Sequence, residues 1–211
     1  MANRGKSERS RREQRREEKP VILIICEGET EELYFADVKR RLRANWIEVR
    51  NPHRCDPKGL VSAARRERRA LTKKGLRVEP WVVFDAESSE VQDSRGYEEA
   101  IAHALKENIG VANSSPCFEY WVLLHYAPGI MVGEPKDAER ELKKPGRIPG
   151  FKKPDLPHDA LWTAYLSGEP SQAARSRREA IVSNGEKPRL GRPVTYVDAL
   201  VDKLASIGGM Q

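Results

Sequence analysis

Apolar residues along this chain fall into two kinds of pattern. The first is the unbroken run: residues 21–26 read Val-Ile-Leu-Ile-Ile-Cys, and residues 80–84 read Pro-Trp-Val-Val-Phe. Runs of five or six without polar alternation suit parallel strands covered on both faces. The second is helical. Tyr34, Val38 and Leu42 recur at i, i+4 and i+8, which predicts a helix over about 31–43 with cations in its last turn. Leu60, Ala63, Ala64 and Leu71 form the inward stripe of another helix, 58–74, stopped by Gly75.

Shorter signals fill the gaps. Trp46 to Val49 and Val111–Ala112 read as short strands, and 97–108 as a helix. Ser115 and Pro116 are placed as N-cap and first residue of a strongly apolar helix, 117–126. Residues 86–95 are polar and loop-like. The resulting β-α-β-α-β-α-(β)-α order predicts an α/β fold, a parallel sheet of about four strands with right-handed crossovers. After Ala127 the pattern changes. Prolines and glycines break 128–157, and helices are expected near 135–143, 158–167, 170–183 and 194–206. The expected organisation is a basic tail (1–19), an α/β core (20–127), and a Pro/Gly-rich segment with a helical extension (128–211).

Charge modifies this picture in one place. Residues 1–19 hold eight Lys/Arg and four Glu, hence +4 of the formal +6 carried by all 211 residues. The body is therefore only mildly basic, and the tail is expected to be disordered. No apolar run reaches the length of a membrane span, and no apolar stretch precedes residue 20 as in a signal peptide. Cys26, Cys55 and Cys117 are an odd count at unrelated spacings, which predicts reduced thiols and a cytoplasmic protein. His53 and Cys55 lack a second pair to complete a zinc site.

Both apolar runs stop at acids. Glu27 follows the first run; Asp85 follows the second, with Glu87 two positions on. If the two strands are neighbours, all three carboxylates meet at the carboxyl edge, where open α/β sheets bind ligands. Carboxylates so gathered repel unless a cation or proton sits among them. Mg²⁺ (or Mn²⁺) is the expected ion, since it takes one or two carboxylates plus water and substrate phosphate. The bland alternative is a strand-to-helix turn whose acids favour a helix N-terminus. Gly28 lets the backbone turn sharply there, but one glycine and no lysine do not make a phosphate loop. Glu31, four residues after Glu27, shares its face only if the helix starts early.

Phe118 and Trp121 read as core aromatics and His125 as a capped core histidine, whereas Glu119, in the first turn, faces the same edge. The basic run Arg65, Arg66, Arg68 and Arg69 is either a solvated helix face or a nucleic-acid track.

The stretches CEGETEELYF (26–35), VVFDAES (82–88), SSPCFEYWVLLHY (114–126) and, more weakly, GRPVTYVDALVDKL (191–204) resemble the RloB family, a Toprim-like group that accompanies ATPases in bacterial anti-phage or restriction-linked loci. The resemblance implies a Toprim-like fold and a Mg²⁺-dependent phosphodiesterase site. Glu27 would be the strand-one glutamate, a metal ligand or general acid/base. Asp85 would be the first acid of the family's Asp-x-Asp, with Glu87 where the family more often has Asp, which shifts the ion's position. Glu119 would be the glutamate of Cys-Phe-Glu. Catalytic residues Glu27, Asp85 and Glu119 and metal ligands Glu27, Asp85 and Glu87 are therefore expected. Two functions follow: a metal-dependent nuclease acting as effector in phage defence on DNA or RNA, or a non-catalytic subunit that binds an ATPase or nucleic acid.

Overall fold

The computed structural model describes residues 19–86, 94–183 and 192–209. Strand β1 (Val21–Cys26) leads through Glu27 and Gly28 into helix α1 (Glu29–Arg41). Strand β2 (Ile47–Arg50) and helix α2 (Pro57–Lys73) follow, then strand β3 (Val78–Val83), helix α3 (Ser94–Lys106) and strand β4 (Gly110–Val111). The four strands form one sheet in the order β2-β1-β3-β4, every pair parallel. The fold is α/β, with the two apolar runs side by side at the centre of the sheet.

The strand alternation splits the interior in two. Ile22, Ile24, Cys26 and Val83 face a core built with Tyr34, Phe35 and Val38 of α1. Leu23, Ile25, Val82 and Phe84 face the other way, onto Leu60, Val61, Ala63 and Ala64 of α2 and Ala104 of α3. Such packing removes Ile22 to Cys26 and Val82 to Phe84 from water, at roughly 25 cal/mol per Å² of apolar surface. Helix α2 starts as its sequence dictates: the Asp56 carboxylate caps it by accepting from the Gly59 N–H at 2.7 Å, and Pro57 supplies a preset first φ. It stops at Gly75, which takes φ +84°.

Beyond the sheet come α4 (Phe118–Leu124), α5 (Pro135–Leu142), α6 (His158–Leu166), α7 (Glu169–Ser183) and α8 (Val197–Gly208). Phe118, Trp121 and Val122 of α4, Leu142 of α5, Ala174 of α7 and Val197, Leu200 and Leu204 of α8 all join the α1-side core. The C-terminal helices therefore pack on the same face of the sheet as α1. The Pro/Gly-rich segment is tied to that core by Val132, Ala138, Leu142 and Phe151.

The expectation for Ser115–Pro116 was wrong. Ser114–Ser115 form strand β5, antiparallel to β6 (Val194–Thr195), and the Ser114 and Thr195 hydroxyls lie 2.9 Å apart. The helix begins three residues later than the proposed cap, with Cys117 as N-cap. A distant strand takes the serine backbone before a helix can.

Candidate metal and phosphate site

Cys26 and Val83 are register partners, and the Glu27 N–H donates to the Val83 carbonyl at 3.0 Å. The first residues past each strand therefore lie together. The Glu27 carboxylate accepts from the Asp85 N–H at 2.9 Å, so the β3 exit fixes the glutamate's orientation. On its other side Asp85 bridges to Ser114, and its carboxylate accepts from the Phe118 N–H at the start of α4.

Helix α1 begins at Glu29, two residues earlier than its periodicity suggested. Gly28 is its N-cap, with extended backbone and no side chain to cap. A Cβ there would lie 2.5 Å from Glu31 Oε2, so any larger residue would displace that carboxylate, and the backbone φ is not unusual. The early start places Glu31 in the first turn, pointing back over Gly28, and buries it to 5% exposure. Glu119 comes from the first turn of α4 and is 1% exposed.

One cation enters this group. Lys153, from the Pro/Gly-rich segment, places its Nζ 2.9 Å from Glu119 Oε1 and 3.8 Å from Glu139 Oε1. The other Glu119 oxygen, Oε2, is buried without a hydrogen-bond partner. Together Glu27, Glu29, Glu31, Asp85, Glu119 and Lys153 line a cavity of about 350 Å³ with Gly28, Thr30 and Pro154. Among the described residues, five carboxylates thus face one ammonium.

The electrostatics follow from that imbalance. Burial, then the Glu31 and Glu119 charges, push Asp85 well above the usual carboxylate range, against the Phe118 hydrogen bond. Burial raises Glu31 to about 7, with Glu119 and Glu27 adding to it, while its own backbone N–H and Lys153 pull it down. Burial alone would lower the Lys153 ammonium, but the Glu119 carboxylate outweighs it and the amine ends up raised. Burial and the nearby acids also raise the Cys26 and Cys117 thiols, so neither is a reactive thiolate.

The donors are hard carboxylate oxygens, one of them buried and unpartnered, and they fit Mg²⁺ or Mn²⁺ chemically. Among the described residues no three His, Cys, Asp or Glu side chains close on one point as a finished cage.

Of the expected site residues, Glu27, Asp85 and Glu119 come together at the carboxyl edge. Glu87 lies outside the described residues. Glu31 and Lys153 are the additions. The first was readable in principle from Gly28 followed by a run of first-turn acids; the second had no local signal.

The arginine run divides. Arg65 and Arg68 pair with Glu107 at 3.2 and 3.4 Å, and Arg68 also donates to the Glu107 carbonyl, which ties α2 to the end of α3. Arg65, Arg66, Arg69 and Lys73 line a surface groove of about 450 Å³. This groove lies on α2, which covers the sheet face opposite α1 and α4, so it does not open into the acid cavity.

His125 is a core residue. Burial lowers its pKa to about 4, and the neutral ring donates from Nδ1 to the Trp121 carbonyl at 2.9 Å.

Residues 22–204 match the family described as RloB-like protein. The chain belongs to the RloB-like protein family. No curated protein and no solved structure matches it. Membership spans the sheet, the acid cavity and the C-terminal helices. No helix among the described residues is long and apolar enough to cross a membrane.

Proposed function

We propose that this RloB-like protein is a Toprim-type phosphodiesterase. It uses Mg²⁺ or Mn²⁺ to cleave nucleic acid in the cytoplasm, as the effector of a bacterial anti-phage system with an ATPase partner. One observation carries the reading: Glu27 and the Asp85 N–H from neighbouring strands meet at 2.9 Å, and buried Glu31 and Glu119 face the same cavity. A structural acid cluster would be costly to maintain, because like charges out of water repel strongly and each lost hydration shell is expensive. A site built to take a cation explains that cost.

A bound divalent ion would neutralise the scissile phosphate and lower the pKa of a coordinated water. Glu27, Asp85 and Glu119 would hold it, with Glu87 following Asp85 on the chain. The Asp85 and Phe118 amides orient two of these carboxylates before substrate arrives. The Arg66, Arg69 and Lys73 groove offers charge for a phosphate backbone at some distance from the chemistry.

The test is direct. Purified protein is incubated with Mg²⁺ or Mn²⁺ and a panel of DNA and RNA, with and without its ATPase partner. Metal-dependent cleavage that disappears with Glu27→Gln supports the reading. Full cleavage in chelator, or in Glu27→Gln, defeats it. A second reading, a non-catalytic binding subunit, draws on the Lys153 ammonium, which already pairs with one oxygen of Glu119 without an ion. Metal-independent binding to a partner, with no cleavage under any condition, would favour it.

A further inference from the structure

We propose that Lys153 is a tethered counter-ion that occupies the cation position beside Glu119 and is exchanged for the divalent ion when one binds. The inference rests on the phosphodiesterase reading and adds a residue that the sequence did not single out.

Three observations carry it. Among the described residues, Lys153 is the one cationic side chain lining a cavity with five carboxylates, and its Nζ lies 2.9 Å from Glu119 Oε1. Its neutralisation is incomplete: Glu119 Oε2, in a side chain 1% exposed, has no hydrogen-bond partner. One ammonium satisfies one oxygen, whereas a hydrated divalent ion brings two charges and water donors for the rest. Finally, the lysine is free to leave. Its side chain is 44% exposed, and it stands in a stretch without regular secondary structure, two residues after Phe151. Phe151 is 3% exposed and anchors that stretch to the core. Exchange therefore needs only rotation of the flexible lysine stem, not opening of the segment.

Both cations cannot share Glu119. At separations of about 4 Å a divalent ion and an ammonium repel strongly even at a surface-like dielectric. The ion's higher charge wins the carboxylates and Lys153 swings to solvent at the cavity mouth. The pocket is thereby held together without metal, and the ammonium released by metal is left where a phosphate would approach.

The test is amine labelling of the full-length wild-type protein, read residue by residue by mass spectrometry, with and without millimolar Mg²⁺ at constant ionic strength. Calorimetry of Mg²⁺ binding runs alongside. The exchange predicts that Mg²⁺ speeds labelling of Lys153 at least about threefold relative to Lys58 and Lys144, whose ion pairs lie elsewhere. Glu119→Gln should give the fast rate without metal, and Lys153→Gln should bind Mg²⁺ several-fold more tightly. If calorimetry shows binding while Lys153 labelling is unchanged, the exchange is overturned and the metal site survives. If no binding occurs in wild type or Lys153→Gln, the metal reading and the exchange both fall.

Discussion

Two carboxylates in this protein are almost equally buried, and their surroundings differ completely. Asp198, at the start of α8, is 1% exposed and receives both nitrogens of Arg178 at 2.6 and 2.7 Å. Arg178 also donates to the Thr195 carbonyl and lies over the Tyr196 ring at 4.8 Å. Every charge there has a partner in fork geometry. Glu119 is also 1% exposed, yet one oxygen takes a half-exposed lysine and the other takes nothing. The first arrangement clamps α7 to α8 and β6. The second leaves unbalanced charge at a sheet edge, in a cavity lined by four more acids among the described residues. Asp198 is satisfied within the fold, whereas Glu119 keeps a buried oxygen with acceptor capacity to spare.

The comparison breaks most visibly at the clamp. Arg178→Met should destabilise by about 3–5 kcal/mol in urea unfolding, because it strands a buried charge. Loss below about 1 kcal/mol would show that Asp198 finds other partners. At the acid cavity the expected effect is on rate. Glu27→Gln should lower metal-dependent cleavage by about a hundredfold or more, equivalent to about 2.7 kcal/mol, with the melting temperature little changed.

The pH dependence probes the acid cavity through Glu31. Glu31 is raised in the folded state, from an ordinary value of 4.5 to about 7, so the native protein holds a proton that the unfolded chain has released. Its favourable contribution is complete below the unfolded value and is lost as pH rises to about 7. Metal-free protein should therefore be less stable at pH 8 than at pH 5, by on the order of 2 kcal/mol. Glu31→Gln should flatten the profile, and saturating Mg²⁺ should oppose the loss. A metal-free melting temperature that climbs from pH 5 to 8 would contradict this account.

The smallest effects lie on α2. Arg66→Ala with Arg69→Ala should change stability by no more than about 0.5 kcal/mol. The same pair should reduce the salt dependence of nucleic-acid binding by about one to two counterions. Arg65→Ala with Arg68→Ala should cost up to about 1 kcal/mol through the lost Glu107 pairs. Equal behaviour of the two pairs would erase the division between groove and clamp.

What the sequence revealed depended on range. The central strands were legible because uninterrupted apolar runs have few other uses, and the meeting of Glu27 with Asp85 followed from strand adjacency. The start of α1 was set two residues late because Tyr34, Val38 and Leu42 report the buried face and not the cap. Strands β5 and β6 are two residues each, too short for any periodicity, and their paired residues Ser114 and Thr195 stand 81 positions apart. Lys153 was invisible for the same reason: it reaches Glu119 from a Pro/Gly-rich stretch whose path only the folded core determines. The two halves of the arginine run look alike in sequence; Glu107, in the turn just after α3, distinguishes them.

The central claim is that the acid cavity is catalytic and under-neutralised. Its most direct test is Mg²⁺-dependent cleavage of nucleic acid by Asp85→Asn, with the metal-free melting temperature taken on the same sample. The Asn keeps the backbone N–H that holds Glu27 but removes a charge that burial and its neighbours already disfavour. The account predicts activity lowered about a hundredfold or more, with a melting temperature equal to wild type or higher. A protein clearly destabilised yet fully active would mean that the acids are scaffolding, like Asp198, and would contradict the account.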